Sequence, residues 1–355
     1  MSREHQTQPT AGTVCLRVQD LTVTLAETGE AIVKGISFEL QAGKVFALVG
    51  ESGSGKSVTS LAAMRLLPDA LRISGGSVEV SGQDLFGLSE ARMQEVRGRR
   101  VAMIFQNAMS ALNPVQTVGR QVAETLRLHT RLLSLFQEVG IPDPEQRFDF
   151  FPHQLSGGQQ QRVMIAMALA CEPDVLIADE PTTALDVTIQ LQVLNLIREL
   201  TRSRQLAVLL ITHDMGVVKN TADDVAVMYR GELIERASVE DFFHNPKQAY
   251  SRRLIDALPD LMHFREAATD SPLLELEDVK VWFPIRRGLL QRVVDHTRAV
   301  DGVSLAIGRG ETYALVGESG SGKSTLGRAV LNLEPIAGGE IRFQGETIGG
   351  LGRGA

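Results

Sequence analysis

Apolar residues alternate with polar ones through Leu16, Val18, Leu21, Val23 and Leu25, and again through Ile36, Phe38 and Leu40. A period of two predicts strands, the first as an exposed-face strand or a hairpin pair. Val45–Val49 breaks this alternation with an unbroken apolar run that leads into a Gly-rich stretch. Such a run predicts a strand buried on both faces of a mostly parallel sheet. Val101–Phe105, Val175–Ala178 and Ala207–Thr212 have the same character. Between the last two, Ile189, Val193, Ile197 and Leu200 recur at helical spacing, and another helix is predicted from Lys56 to near Pro68. Strands alternating with helices predict the α/β class, with ligands held at the carboxyl ends of the strands.

The Gly-rich stretch carries the first chemistry. Gly50 to Ser57 reads GESGSGKS and fits G-x-x-x-x-G-K-[ST]. Glycines in such a loop turn backbone N–H groups toward an anion, and the Lys adds a mobile positive charge. The same eight residues return as Gly317 to Ser324, an offset of 267 (317 minus 50). One copy could be chance, but two predict a nucleotide-binding chain with an internal duplication. The flanks agree: Leu16–Leu25 aligns with Leu274–Phe283, and Gly35 and Gly302 each lie 15 residues before their loop. Pro259, a charged stretch and Pro272 mark a linker over 259–271, and residues 1–13 are expected to be disordered.

Composition narrows the class. With 355 residues, 43% hydrophobic and 22% charged, the chain can build one or two ordinary globular cores. A net charge of −7 argues against nucleic acid as a partner. Cys15 and Cys171 can form neither a disulfide framework nor a C-x-x-C site. The N-terminal residues are polar and lack the apolar core of a secretory signal. The longest apolar run, Val163–Cys171, is too short to span a bilayer. A membrane process would therefore be served from the cytosol through a spanning partner.

Four further elements follow the first loop in order. Gln106 closes the strand at 101–105, and Leu155-Ser156-Gly157-Gly158-Gln159 precedes an apolar helix-like run. Asp179 and Glu180 end the strand at 175–178, where a magnesium ligand and a water-activating base would sit. His213 follows the strand at 207–212. Taken singly, two carboxylates would be a solvated strand end, the His structural and the Gly turn a helix cap. Together the order resembles the ATP-binding subunits of ABC transporters: phosphate loop, glutamine loop, LSGGQ signature, carboxylate strand and switch histidine. Ser110-Ala111-Leu112-Asn113-Pro114, Pro152-His153-Gln154, the run Asp179–Gln190 and Tyr250-Ser251-Arg252-Arg253-Leu254 resemble the dipeptide, oligopeptide and nickel import branch. Trp282–Leu290 resembles the partner ATPase of the same systems, so the chain looks like a tandem fusion truncated within its second cassette.

The resemblance implies a P-loop NTPase domain over 14–258, with a parallel core sheet, an antiparallel β subdomain and a helical subdomain near 107–160. A partial second copy over 272–355 would hold only a β subdomain and a phosphate loop. The implied cofactors are ATP and Mg2+. Gly50, Ser52, Gly53, Ser54, Gly55, Lys56, Ser57 and Val58 would grip the phosphates at a helix N-terminus. Ser57, Gln106 and Asp179 would hold the metal, and Glu180, Gln106 and His213 would act in hydrolysis. Ser156, Gly157, Gly158 and Gln159 would clamp the nucleotide of an opposite subunit. The second copy offers Phe283, Gly317, Ser319, Gly320, Ser321, Gly322, Lys323, Ser324 and Thr325. Its counterparts of Gln106, Ser156, Glu180 and His213 would fall at 373, 423, 447 and 480, each the first number plus 267.

Where relatives stack an aromatic on adenine this chain has Leu25, which predicts weaker binding by about 1–3 kcal/mol. The stretch Leu126–Gly140 is shorter than in the family, which bears on the surface docking the membrane partner. Expected partners are two integral-membrane permease subunits, a second ABC domain from a homodimer or a partner ATPase, and indirectly a solute-binding protein, with no nucleic acid. The expected location is cytoplasmic, on the inner face of the cell membrane. Two rival expectations are a remnant that binds ATP without hydrolysis and a soluble twin-cassette protein acting on ribosomes or nucleic acid.

Overall fold

The computed structural model describes residue 10 and residues 12–106, 111–125, 132–183, 185–258, 272–287, 292–317 and 320–348. The linker expected over 259–271 and most of the expected disorder over 1–13 lie outside these residues. Of the remainder, Thr13 is tied down, because its carbonyl accepts from the Ala42 N–H at 2.8 Å. The chain divides into two compact units between Pro259 and Asp260.

The first unit is built on six strands in the order β10-β9-β3-β8-β7-β6. These are β3 (Val45–Val49), β6 (Val101–Ile104), β7 (Val175–Asp179), β8 (Ala207–Ile211), β9 (Asp224–Tyr229) and β10 (Glu232–Ser238). All pairings are parallel except that of the edge strand β10 with β9. Every residue of β3, β7 and β8 is buried, as unbroken apolar runs require of a sheet covered on both faces. Neighbouring residues serve opposite cores: Leu176 and Ala178 face one, Val175 and Ile177 the other. The first core is closed by helices Gly157–Leu169 and Val187–Ser203 through Val163, Ile165, Val193 and Ile197. Each such side chain contributes about 1.5–3 kcal/mol when fully buried.

The second core packs helix Lys56–Ala63 and an antiparallel sheet of order β2-β1-β4-β5. Its strands are β1 (Val14–Leu25), β2 (Ala31–Gln41), β4 (Leu71–Val80) and β5 (Gln83–Asp84). β1 is a single strand that lies between β2 and β4, and with β2 it forms a hairpin closed by the turn at 26–30. Its apolar spacing jumps from Val18 to Leu21 because the register slips there, with Asp20 at φ 47°. Within the expected helical region lie helices Val118–Thr125, Leu132–Glu138 and Pro144–Arg147.

The second unit has one antiparallel sheet of order β12-β11-β13-β14. Its strands are β11 (Leu274–Arg287), β12 (Arg292–Ile307), β13 (Gly338–Phe343) and β14 (Glu346–Thr347). Leu276, Val279, Val281 and Ile341 pack against Leu326 and Ala329 of helix Lys323–Val330. The strand order repeats that of β2-β1-β4-β5. One sequence-identical piece differs. Ala47-Leu48-Val49 ends a fully buried strand, whereas Ala314-Leu315-Val316 forms no strand, with Leu315 45% and Val316 85% exposed. In the first unit the run is clamped between β8 and β9. Among the described residues nothing pairs with its repeat, so a sequence fit for a buried strand is left as an irregular segment.

Candidate nucleotide site

Four parallel strands deliver the site to one edge of the sheet. β3 runs into the loop 50–57, β6 into Gln106, β7 into Asp179 and Glu180, and β8 into His213. Gly50, at φ 149°, has room for no side chain, since a Cβ would stand 2.1 Å from the Met228 carbonyl oxygen. Gly55, at φ 104°, is the left-handed residue that opens helix Lys56–Ala63. The first N–H groups of that helix lack partners within it and carry the positive end of its dipole, which favours an anion.

Lys56 is buried and folds over the loop. Its ammonium donates to the carbonyl oxygens of Gly50 and Glu51, each at 2.8 Å, and to Ser54 Oγ at 3.4 Å. Burial lowers its pKa, and the nearby Glu180, Asp179 and Glu51 carboxylates oppose that shift. Ser52 and Gly53 lie exposed on the loop, while the Val58 side chain packs into the second core.

Asp179 is only 4% exposed and accepts from Ser57 Oγ at 3.2 Å and Ser60 Oγ at 3.5 Å. Burial raises its pKa and Glu180 adds to the rise, against the Ser57 and Ser60 hydrogen bonds and the Lys56 charge. Glu180 sits at φ 47°, a strained position for a residue with a side chain, and its N–H donates to the Ile211 carbonyl at 2.9 Å. Its Oε2 accepts from Gln106 Nε2 at 2.6 Å and Thr183 Oγ1 at 3.1 Å, and its Oε1 lies 2.9 Å from His213 Nδ1. Burial pushes the Glu180 pKa up, but the hydrogen bonds from His213, Thr183 and Gln106 outweigh it and leave the pKa below the usual value. The group is thus an ionised carboxylate at the sheet edge, able to take a proton from a hydrogen-bonded water.

Lys56, Ser57, Gln106, Asp179, Glu180 and His213 therefore form one linked cluster. The signature residues stand apart from it. Ser156 caps helix Gly157–Leu169, accepting from the Gln159 N–H at 3.3 Å, while Gln159 Oε1 accepts from the Ser156 N–H at 3.2 Å. Gly158 is required by packing, because a Cβ there would stand 2.4 Å from Ile189 Cγ2. No hydrogen bond described for this turn reaches residues 50–57 or 179–180.

In the second unit Gly322, at φ 94°, opens helix Lys323–Val330 as Gly55 opens its counterpart. Lys323 Nζ donates to the Gly317 carbonyl at 2.7 Å and to Ser321 Oγ at 3.4 Å. Gly320, Ser324 and Thr325 belong to the same turn and helix start, and Ser319 lies outside the described residues. Phe283 is exposed on β11, whereas Leu25 is half-buried on β1.

Four further residues support the site: Ser60, Thr183, Gly231 and Tyr250. Ser60 and Thr183 have the spacing signal: one lies a helical turn beyond Ser57, the other three residues after Glu180. Gly231, whose N–H donates to the Ser54 carbonyl at 3.0 Å, and Tyr250, whose hydroxyl accepts from the Glu51 N–H at 3.0 Å, are brought in only by the fold.

Among the described residues no cluster of three His, Cys, Asp or Glu side chains could hold a metal. Magnesium needs fewer protein donors, since it keeps water and takes phosphate oxygens. Ser57 Oγ and the Asp179 carboxylate, already in contact, supply hard oxygens of the right kind. Among the described residues no helix is long and apolar enough to cross a membrane.

The ABC transporter family model matches residues 33–183 and 300–352. The peptidoglycan transport ATP-binding protein YejF of Agrobacterium fabrum is 46% identical over 359 residues, covering 98% of this chain and 64% of that protein. The glutathione import ATP-binding protein GsiA of Escherichia coli K12 is 44% identical over 397 residues, covering 99% of this chain and 63% of that protein. The chain thus spans under two thirds of the length of these relatives. A solved dimeric bacterial ABC transporter cassette is 25% identical with a TM-score of 0.54, covering 63% of this chain and 98% of that one.

Proposed function

The chain belongs to the ABC transporter family, and from that premise we propose that it is an ATP-binding subunit that hydrolyses ATP to drive import of peptides or a related small solute through a separate transmembrane permease. One observation carries the reading: a phosphate loop, a buried Asp bonded to its Ser, and an ionised Glu held by Gln, Thr and His share one sheet edge. Lys56 and the loop N–H groups hold the β- and γ-phosphates. Ser57 and Asp179 would hold Mg2+, which when bound neutralises phosphate charge, and the amide oxygen of Gln106 would join them. Glu180 orients water against the γ-phosphorus and takes its proton. The bond from that phosphorus to the β,γ-bridging oxygen breaks, and ADP and phosphate leave. His213 holds Glu180 in place through Nδ1.

Ser156, Gly157, Gly158 and Gln159 act on the nucleotide of a second ABC domain. Their separation from the chain's own cluster supports this, as does the likeness to a dimeric cassette. The partner is a second copy of this chain or a related ATPase. The solute class rests on the relatives, one named for peptidoglycan transport and one for glutathione import. Two permease subunits, fed by a solute-binding protein, and a place on the inner face of the cell membrane follow from the same reading. Residues 272–355 are a partial second cassette: strand order, loop and helix start repeat those of 14–84.

A second reading, nucleotide binding without turnover, is favoured for the second unit by its phosphate loop, which no Gln, Glu or His cluster faces among the described residues. Phosphate release measured against chain concentration separates the two. A homodimer through the first unit predicts a second-order rise at low concentration, and no release at any concentration would leave only the second reading.

A further inference from the structure

We propose that Tyr250 is a positioning residue for nucleotide binding: its hydroxyl holds the arch of the phosphate loop from outside and thereby sets the affinity for a phosphate chain. The inference rests on the reading of residues 50–57 as an ATP site.

The arch between Gly50 and Lys56 turns two backbone groups away from its own cradle. The Glu51 N–H donates to Tyr250 Oη at 3.0 Å, and the Ser54 carbonyl accepts from the Gly231 N–H at 3.0 Å. Glu51 is held on both sides, because its own carbonyl accepts from the Lys56 ammonium at 2.8 Å. A shift of Glu51 would therefore move an acceptor of the charge that meets the phosphates. An N–H with no partner would also be free to rotate inward or to bind water, and either loosens a cradle whose use depends on fixed donors.

Tyr250 is suited to the task because it is itself immobile. It is 6% exposed, and its ring packs 4.5 Å from that of Tyr229, with Val49 and Phe242 in the same cluster. Helix Ala249–Asp256, which carries it, is pinned where it begins. The buried Glu235 of β10 accepts the Lys247 and Gln248 N–H groups at 2.8 and 2.9 Å, one on each carboxylate oxygen. β10 pairs with β9, and β9 with β3, so the pin, the tyrosine and the loop share one frame. Hydrogen bonds join Glu235 to the helix start and Tyr250 to Glu51, and none of these groups needs to touch the nucleotide.

The test is Tyr250→Phe, which removes only the hydroxyl and keeps the ring packing. The affinities of ADP and AMP with Mg2+ would be read by calorimetry, together with amide exchange at Glu51 and the thermal midpoint. ADP dissociation constants should rise about 3- to 10-fold, the worth of one neutral hydrogen bond. AMP, which reaches less of the cradle, should change by less than about 2-fold, and Glu51 amide exchange should quicken. Glu235→Gln, which keeps one of the two acceptors, should give the same ordering with a smaller rise and decides the matter if the phenylalanine variant does not fold. Unchanged ADP affinity, or equal losses for ADP and AMP, overturns the proposal. If the unaltered chain binds no ADP, it is the reading of the loop that has failed, and the proposal falls with it.

Discussion

Replacing Glu180 by Gln isolates its role as a base from its role in the fold. The carboxylate meets three partners: Gln106 Nε2 and Thr183 Oγ1 on Oε2, and His213 Nδ1 on Oε1. A glutamine can keep this geometry. Its amide oxygen takes the place of Oε2 and still accepts twice, while its NH2 group donates to His213 Nδ1 once the imidazole proton sits on Nε2. What is lost is the charge on the acceptor, on the order of 1 kcal/mol of stability. What is lost in catalysis is larger, because an amide cannot take the proton of the attacking water. Removing a general base costs about 10²–10⁴-fold in rate, or about 2.7–5.5 kcal/mol of barrier. Steady-state phosphate release, ATP affinity by titration and denaturant unfolding measured on the same variant give all three quantities. We expect turnover to fall by at least about 100-fold with ATP affinity retained and stability changed by about 1 kcal/mol. Turnover within about 3-fold of the unaltered chain would refute the assignment. So would a loss of turnover that tracks a loss of binding, since the residue would then be holding the site together rather than acting in it.

The two signature glycines should separate. Gly158→Ala gains up to about 1 kcal/mol of helix propensity but drives a Cβ to 2.4 Å from the stiff Ile189 Cγ2, an overpacking cost of about 1–3 kcal/mol. Gly157→Ala meets Leu185 at an ordinary 3.5 Å, so urea midpoints should fall for the first and hold for the second; equal falls would contradict the packing account. Glu180 is held below its ordinary 4.5, so the stability it contributes is present above that value and is lost as pH drops through the folded value. The stability difference between the unaltered chain and Glu180→Gln should therefore shrink below about pH 4.5, and a difference that grows on acidification would reverse the sign. Asp179, raised by burial, acts oppositely: it favours the folded state at low pH, and that contribution is lost as pH rises from 3.8 through its folded value.

Much of this was legible in the residues, for definite reasons. The runs at 45–49, 175–178 and 207–212 could be read as buried strands because a sheet covered on both faces leaves no polar alternation. The loop at 50–57 could be read because its geometry needs glycine at fixed positions. Glu180 and His213 could be read because each directly follows such a strand. The edge hairpin β9–β10 and helix Ala249–Asp256 were less visible, since their burial depends on partners distant in sequence. Tyr250 and Gly231 reach the loop only through that hairpin, so no local spacing announces them. The repeat of β3 at 312–316 is the converse case. Its sequence asks for a buried strand, but among the described residues no neighbouring strand supplies its hydrogen bonds.

The central claim is that residues 50–57 grip the phosphates of ATP through Lys56. Equilibrium binding of a fluorescent ATP analogue with Mg2+ to residues 1–258, compared with the same segment carrying Lys56→Ala, tests it most directly, because the second loop is then out of reach. The account predicts saturable binding of one nucleotide per chain that the substitution abolishes while the thermal midpoint holds. Equal affinity in the two proteins would contradict it.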